Sequence, residues 1–308
     1  MTQPAATLAQ APRAQIHDQG YERYTGPRRE QSRRFWIVAR NVVWTGLRRW
    51  AVRVPAIASV FIFLVSGVFM FIARQFGGTM PVPKGVPDFD RLAGVLVQAG
   101  WWLGWWGMVV GAAVGCTSIS DDLRVGAFQF YFSRSLRSID YGLGKILGIC
   151  FLVGIPMLVV PSLLGLLRLG LTEDAGSLGK TWTVFPRAIA WGVLGTLVYA
   201  LPAAGLGAAV VSKRTAQAGY VAYYMVVSFI ALLLSKALKI PQLELIAFDH
   251  CWQNVGQWIF EIPENPNVPP SPPAWQSMLA LLGFIGLGAA GLVLRLRQAD
   301  VSSVGGGS

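Results

Sequence analysis

Six long apolar stretches, separated by short polar segments, dominate the pattern of hydrophobic and polar positions along this chain. They lie near residues 54–73, 92–117, 146–167, 188–211, 217–235 and 275–294. Each is about long enough for a helix that crosses a bilayer core, which needs roughly 20 residues at a rise of about 1.5 Å per residue. The pattern therefore predicts an all-α polytopic membrane protein with six transmembrane helices.

The amino-acid composition supports the same class of protein. The chain is 54% hydrophobic and 13% charged, whereas an ordinary soluble domain carries about 25% charged residues. Residues 1–33 are polar and lack the apolar core of a signal peptide, so we expect a disordered cytoplasmic tail there. We expect the transmembrane domain to occupy residues 34–300 and a flexible tail to follow at 301–308.

The distribution of positive charge predicts how the chain is oriented. If both termini are cytoplasmic, 18 of the 26 Lys and Arg residues fall on the inner side of the membrane, as the positive-inside rule requires. This predicts a multi-pass protein of a bacterial cytoplasmic or inner membrane. The net charge of +11 is then a signal of topology, and no nucleic-acid partner is expected.

A short amphipathic helix is predicted ahead of the first span. In residues 34–50, the side chains of Trp36, Val43, Leu47 and Trp50 share one helical face, opposite several arginines. Such a helix lies in the inner membrane interface with its apolar side down and its arginines at anionic headgroups. The alternative is that this stretch is only the cytoplasmic start of the first membrane helix.

A second amphipathic segment is predicted between the fifth and sixth spans, in residues 237–274. A helical projection places Phe248 and Trp252 on an apolar side, and Asp249 and His250 on a polar side. This favours an amphipathic helix or helical hairpin at the outer leaflet, followed by a stiff proline-rich run.

The second span carries two further patterns. Five glycines recur every three or four residues and leave a stripe without side chains, at Gly100, Gly104, Gly107, Gly111 and Gly115. This favours close helix packing over a pore lining. Four tryptophans, Trp101, Trp102, Trp105 and Trp106, form either an aromatic belt at the outer interface or a stacking surface for a sugar or lipid. With Tyr199, Tyr223 and Tyr224 they are candidates for a substrate path.

The chain is not expected to supply its own energy. Gly179, Lys180 and Thr181 resemble the end of a phosphate-binding loop, but Asp174 occupies the position of its first glycine and no predicted strand precedes it. We therefore expect no ATPase activity and no bound cofactor in this chain. The six stretches hold no ionisable residue away from their ends, whereas ion-coupled transporters need such groups in the membrane. The energy is expected to come from a partner on the cytoplasmic surface.

The largest predicted cytoplasmic loop, residues 118–145, has the character of a docking site. Asp121 and Asp122 open it and favour a helix N-terminus there, because acidic groups stabilise that end of the helix dipole. Aromatic residues follow, and then basic ones, at Phe128, Phe130, Tyr131, Arg134 and Arg137. Exposed aromatic side chains between charges favour contact with a protein partner over the alternative of a mere connector.

This loop resembles that of the permease subunits of type 2 ABC transporters. The family's loop has an acidic and basic start, a glycine, a run into Leu-Ser-Arg-Pro, and Leu-Gly-Lys at the head of the third helix. The matching positions here are Ile119–Arg124, Gly126, Gln129, Ser133, Arg134, Asp140 and Leu143–Lys145. Ser135 replaces the usual proline. The layout of elbow helix, six spans and outer helices before the last span is also similar.

The resemblance implies a permease that dimerises with a second copy or a related chain, in contact with the lipid bilayer. Each copy would receive one ATP-binding subunit, which binds ATP and Mg²⁺, at a cytoplasmic coupling helix. The residues implied in coupling are Asp121, Asp122, Arg124, Gly126, Phe128, Phe130, Tyr131, Arg134, Arg137, Asp140 and Lys145. Export of an apolar or amphipathic substrate is expected. The alternative is a subunit that passes ATP-driven motion to an extracytoplasmic partner without moving cargo.

Overall fold

The computed structural model describes residues 34–76, 91–127, 137–172, 179, 181–262 and 271–304. All regular secondary structure within these ranges is helical, and they contain no strand. The predicted all-α class is therefore confirmed. Residues 1–33 and 305–308, which belong to the two predicted tails, lie outside the described residues.

Eleven α-helices occur in the described part of the chain. They are α1 Arg34–Leu47, α2 Trp50–Phe76, α3 Arg91–Val110, α4 Cys116–Arg124, α5 Ser138–Gly154, α6 Val160–Gly170, α7 Val184–Ala209, α8 Lys213–Ala222, α9 Ser228–Leu238, α10 Phe248–Ile259 and α11 Ala274–Val304. α11 thus extends into the stretch predicted as the C-terminal tail. A 3₁₀ turn, Pro241–Ile246, precedes α10.

Three short π-helical segments join helices into longer, continuous ones. Gly111–Gly115 joins α3 to α4, Ile155–Val159 joins α5 to α6, and Tyr223–Val227 joins α8 to α9. Single π turns within α-helices are rare and often mark functional positions. In the second of them, Pro156 lacks the backbone N–H that an α-helical hydrogen bond requires, which gives a local reason for the irregularity.

Six helices are long and apolar enough to cross a membrane, and each overlaps one predicted stretch. They span Trp50–Gln75, Gly94–Arg124, Ser138–Gly170, Val184–Ala209, Lys213–Leu238 and Ala274–Gln298. The prediction of a multi-pass membrane protein is therefore confirmed. The second and third spans are longer than expected, because α4 continues through Asp122 and α5 already begins at Ser138.

Helix α7 lies at the centre of the bundle, where it contacts α4, α5, α6, α10 and α11. Its glycines allow these close approaches: a methyl group at Gly205 would lie 2.5 Å from the carbonyl oxygen of Gly288 on α11. Helix α2 is peripheral by contrast, since only 11% of its apolar window is buried, against 78% for the second span. The core therefore lies around α7, and α2 presents its side chains to the surroundings.

Contacts between helices define two ends of the bundle. The basic end holds α1, which packs on α5, together with the end of α4 and the starts of α5 and α8. Ion pairs at Asp121 and Asp122 link α4 to α5 and α8. The opposite end holds the start of α7 and helix α10, which pack against each other.

Helix α1 forms within the segment where an amphipathic helix was expected. It packs on α5 through Ala39, Val42 and Gly46, whereas Trp36 and Trp50, from the predicted apolar face, are exposed.

Candidate functional site

A charged cluster at the basic end consists of Arg49, Asp121, Asp122, Lys145 and Lys213. Asp121, near the end of α4, pairs with Lys213 of α8 at 3.3 Å and with Arg49, between α1 and α2, at 3.9 Å. These side chains are a third or more exposed. The cluster therefore joins the junction of α1 and α2 to α4 and α8 through partly solvated ion pairs.

The other half of the charged cluster is more deeply buried. Lys145 Nζ lies 2.8 Å from Asp122 Oδ2 and donates a hydrogen bond to the carbonyl oxygen of Ser118 at 2.6 Å. The hydroxyl of Tyr141 donates to the same carboxylate at 2.6 Å. The exposed fraction of the Lys145 side chain is 9%. A buried ion pair with these additional hydrogen bonds resists the loss of either partner, because the remaining charge would be stranded.

The π segment between α3 and α4 supplies acceptors to side chains from elsewhere in the bundle. Arg49 donates to the carbonyl oxygen of Ala113 at 2.6 Å and also to the hydroxyl of Thr117. Gln217 of α8 donates to the carbonyl oxygen of Ala112 at 3.2 Å. A π turn displaces the regular helical hydrogen bonds, so its carbonyl groups can accept bonds from such side chains. The π segment thus adds a second tie between the same helices.

A polar cavity of about 180 Å³ lies inside the charged cluster. Asn41 and Thr45 of α1 line it together with Arg49, Asp122 and Lys145. The hydroxyl oxygen of Ser118, which also lines it, is buried without a hydrogen-bond partner among the described residues. At about 30 Å³ per water molecule, the cavity has room for several waters that could satisfy this group.

The expectation that Asp121 and Asp122 begin a helix is wrong. Both lie near the C-terminal end of α4, which continues from the second span, where the helix dipole disfavours acidic groups. Ion pairs with Lys145 and Lys213 offset that effect.

The helix ends instead at Arg124. Gly126, two residues later, has a φ of 65°, a left-handed conformation that glycine adopts without strain. Gly126 thus turns the chain out of α4. Arg124, just before it, is exposed.

The remaining predicted coupling residues divide into two groups. Arg137 and Asp140 lie at the start of α5, where Arg137 is the N-cap residue and Asp140 is in the first turn. Phe128, Phe130, Tyr131 and Arg134 lie outside the described residues, as does the Ser135 position. A surface depression between the end of α4 and the start of α8 is lined by Arg124, Lys213 and Arg214.

The glycine stripe of the second span meets other helices at every position. A methyl group placed on each glycine would contact, in order, Trp191 at Gly100, Tyr199 and Tyr224 at Gly104, Met157 at Gly107, the carbonyl of Tyr199 at Gly111, and Ala203 at Gly115. The α7 residues among these contacts are fully buried. Helices thus approach along the whole stripe.

An aromatic cluster holds α7 and α10 together at the opposite end. Trp191 and Trp252 stack with ring centroids 4.3 Å apart and planes 8° from parallel. Each indole N–H donates to the backbone carbonyl of the other residue at 3.1 Å. Both side chains are fully buried. The absence of side chains at Gly195 and Gly256 makes room, because a methyl group at either would lie within 2.8 Å of the facing indole.

The tyrosines considered for a substrate path extend this aromatic cluster toward the middle of the bundle. Tyr199 is fully buried, and its hydroxyl lies 3.5 Å from that of Tyr224. The hydroxyl of Tyr223 donates to the carbonyl of Ile246 at 2.5 Å, and the Phe248 ring packs against all three. Tyr199 and Tyr224 therefore lie within packed core, without contact to an open channel among the described residues.

The four tryptophans of the second span point to two different surroundings. Trp101 contacts His250 edge-on at 5.7 Å and Trp105 contacts Tyr224 at 6.0 Å. Trp102 and Trp106 instead line an apolar groove of about 870 Å³ between α2 and α3. Phenylalanine and valine side chains of α2 form its other wall, and two amides reach it, those of Gln98 and Gln257.

Asp249 does not lie on the polar face that its sequence pattern predicted. It is 8% exposed, on the side of α10 that packs against the bundle. Burial raises the pKa of its carboxyl group, an effect that His250 and Ser228 partly oppose. Burial, together with the nearby Asp249, raises the pKa of the Cys251 thiol to about 12, so this cysteine is a poor nucleophile at neutral pH.

Among the described residues, no group of three or more His, Cys, Asp or Glu side chains could hold a metal ion. Of the phosphate-loop fragment, Thr181 is buried and Lys180 lies outside the described residues. The chain matches no known protein-family model, and no curated protein sequence is significantly similar to it.

The sequence pattern did not indicate three residues that contribute to the charged cluster at the basic end: Arg49, Tyr141 and Lys213. Each is a polar residue at or near the end of a span, and that is the one signal by which they could have been found.

Proposed function

We propose that this chain is the membrane subunit of an ATP-driven transporter of the type 2 ABC class. The observation that carries the proposal is the anchoring of the connection between α4 and α5. Three of the positions that match the family's loop form ion pairs: Asp122 pairs with Lys145 of α5. Asp121 pairs with Lys213 of α8 and with Arg49 at the junction of α1 and α2. The six spans and the helix α10 before the last span support the same assignment.

In this proposal the basic end is cytoplasmic and each permease copy receives one ATP-binding subunit there. Closure of the ATP-bound pair displaces the connection between α4 and α5. Asp122 passes the displacement to α5 through Lys145, and Asp121 passes it to α8 through Lys213. Arg49 carries it to the junction of α1 and α2. One local push therefore reaches helices in three parts of the bundle.

The expected cargo is apolar or amphipathic. The groove between α2 and α3 is lined mainly by aliphatic and aromatic side chains, and its volume of about 870 Å³ is in the range of small-molecule sites. Cytoplasmic ATP and Mg²⁺ act in the partner and supply the energy. In the alternative, the chain only transmits motion to a partner at the opposite end. The ion pairs at the basic end then still pass on the displacement, but no cargo moves.

Extraction of the tagged chain from its native membranes in a mild detergent tests the proposal. We expect an ATP-binding subunit to co-purify in equal amount, and the complex to hydrolyse ATP. Recovery of the intact chain without a nucleotide-hydrolysing partner would contradict the proposal. Uptake of a fluorescent lipid analogue by inverted vesicles then separates export from transmission of motion.

Alanine variants of the connection test where the partner binds. Phe130→Ala and Tyr131→Ala are expected to lower partner recovery at least tenfold, because aromatic anchors at interfaces often contribute about 2 kcal/mol or more. Trp258→Ala is the matched control, since Trp258 is an aromatic residue that is 64% exposed at the opposite end. Normal recovery and ATP hydrolysis in both loop variants would make this segment a connector only.

A further inference from the structure

Asp249 is a buried acid whose charge has no adequate partner among the described residues. Its Oδ1 atom is buried without a hydrogen bond to any of them, and so is the hydroxyl oxygen of Ser228. These two groups are nevertheless close enough for the hydroxyl to act on the carboxyl. An ionised carboxylate in such a position loses its hydration, and His250, Ser228 and the backbone N–H groups at the start of α10 compensate only part of that loss, whereas a neutral carboxylic acid can donate to a nearby oxygen.

The titratable and hydroxyl groups that act on Asp249 come from α7, α8, the π segment, α9 and α10 itself, and they are almost all neutral. Helices α3 and α11 and the 3₁₀ turn also pack on α10. The groups that act on Asp249 are Tyr199 of α7, Tyr220 of α8, Tyr223 and Tyr224 of the π segment, Ser228 of α9, and His250 and Cys251 of α10 itself. The only basic group among them is His250, whose Nε2 lies 3.9 Å from Asp249 Oδ2. That distance is too long for a hydrogen bond. The surroundings therefore suit a protonated acid.

The position of Asp249 connects its protonation to the docking of α10. It lies in the first turn of α10, three residues before Trp252, whose indole stacks on α7. A charge on Asp249 thus arises inside the contact that holds α10 on the bundle. Movement of α10 away from α7, α8 and α9 would return the carboxyl group to water and stabilise its ionised form.

We infer that Asp249 is a proton-binding site: it carries a proton while α10 is docked on the bundle and releases that proton when α10 moves away. The inference concerns this chain alone and stands whether or not an ATP-binding partner exists. It also changes the sequence-based view of the membrane domain, since an acid that no span contributes is brought into its core by α10.

The direction of the pH dependence follows from the raised pKa of Asp249. In the unfolded chain an aspartate has a pKa near 3.9, and burial in the folded protein raises it. At pH values below the pKa of the unfolded chain, the bound proton therefore makes its full contribution to the stability of docked α10. This stabilisation is lost as the pH rises through the folded value. Alkaline conditions should favour release of α10, and acid conditions should favour docking.

The neighbouring Cys251, which is 2% exposed, reports the position of α10. With Cys116 and Cys150 replaced by Ser, we would measure maleimide labelling of Cys251 in nanodiscs from pH 5 to pH 8. The labelling rate of the chain that keeps Asp249, relative to that of an Asp249→Asn variant, should rise by up to about tenfold for each pH unit above the pKa of docked Asp249, since one pKa unit is a factor of ten. If α10 stayed docked, ionised Asp249 would only repel the thiolate and raise the pKa of Cys251. The labelling rate of the chain that keeps Asp249 would then fall with pH relative to the Asp249→Asn variant.

Two further variants identify the titrating group. Ser228→Ala and His250→Gln each remove a group that lowers the pKa of Asp249, so the rise in labelling should move to higher pH. Glu261→Gln removes an exposed acid that pairs with Arg187 of α7; any change in labelling should be the same at every pH, so the midpoint of the curve should not move. The inference would be overturned if the labelling rate relative to the Asp249→Asn variant did not change with pH. It would also be overturned if the labelling curve of Ser228→Ala did not shift. If Asp249→Asn does not fold, the shift in Ser228→Ala remains a sufficient test.

Discussion

The two ends of the bundle hold their helices together by different interactions. At the basic end, long side chains from α4, α5, α8 and the junction of α1 and α2 meet in ion pairs, some of them a third or more exposed. At the opposite end, α7 and α10 are joined by stacked indoles that are fully buried and hydrogen-bonded to backbone carbonyls. Partly solvated ion pairs contribute about 0 to 1 kcal/mol each, whereas loss of one buried aromatic side chain costs about 3 to 5 kcal/mol.

This difference indicates where the bundle can rearrange at low cost. Ion pairs between flexible side chains can lengthen or exchange partners while water enters the polar cavity around Ser118. The stack of Trp191 and Trp252 cannot separate gradually, because both rings and both N–H groups lose their partners together. We therefore expect small adjustments at the basic end and a two-state change, docked or released, at α10.

The largest expected effect is the loss of the aromatic stack. Trp252→Ala should lower the free energy of unfolding by about 3 to 5 kcal/mol, because it leaves a large cavity and removes a hydrogen bond to a buried carbonyl. The change in unfolding free energy can be measured by denaturation in detergent, monitored through the fluorescence of the remaining tryptophans. Trp258→Ala on the same helix is the control, since that side chain is 64% exposed. Equal losses in both variants would refute the assigned role of the stack.

The next effect is the breaking of the buried ion pair at the basic end. Lys145→Met should cost about 3 kcal/mol, because Asp122 keeps its charge in a buried site. Adding Asp122→Asn should restore part of the loss, which a double-mutant cycle would detect. Lys213→Met, from the more exposed pair, should cost less than about 1 kcal/mol. If the Lys213 variant is the more damaging, the division of the cluster into buried and exposed halves is wrong.

A smaller effect is expected where α7 crosses α11. Gly288→Ala should destabilise the bundle by about 1 to 3 kcal/mol, because the added methyl group would meet the backbone of Leu201 and Pro202, which cannot easily move. Gly286→Ala on the same helix is the matched control, since it has nothing within 4 Å among the described residues. Thermal unfolding of the two variants in one detergent gives the comparison. Similar midpoints would show that the crossing is looser than the structure has it.

The spans and the glycine stripe could be read from the sequence because local patterns determine them. Apolar length alone indicates a membrane helix. A glycine every three or four residues marks one face of that helix, and the approach of α7 at Gly104 and Gly115 lies on that face. Neither inference needs to know which other helix is the neighbour.

The two clusters could not be read from the sequence because they depend on pairings between distant segments. Arg49 and Ala113 are separated by 64 positions, and no periodicity in either segment indicates the other. Asp249 looked solvent-exposed because its helix is amphipathic, yet it lies on the face of α10 that packs against the bundle. The helix-dipole argument for Asp121 failed because nearby cations, supplied by tertiary structure, outweighed a local effect of about 0.3 to 1 kcal/mol.

The smallest predicted effect concerns the exposed ion pair beside α10, between Arg187 and Glu261 at 2.7 Å. Glu261 is 74% exposed and has a φ of 55°, so two small contributions oppose each other there. Glu261→Gln removes only the charge and should cost less than about 1 kcal/mol. Glu261→Gly also relieves the left-handed backbone, which is unfavourable by about 1 to 2 kcal/mol for a residue with a side chain, and should be at least as stable as the Gln variant. Thermal unfolding of the unchanged chain beside both variants, at low and high salt, separates the contributions, because salt screens the ion pair that only the unchanged chain keeps and leaves the backbone preference unchanged. A Gly variant less stable than the Gln variant would show that the Glu261 side chain contributes packing on α10 beyond its charge.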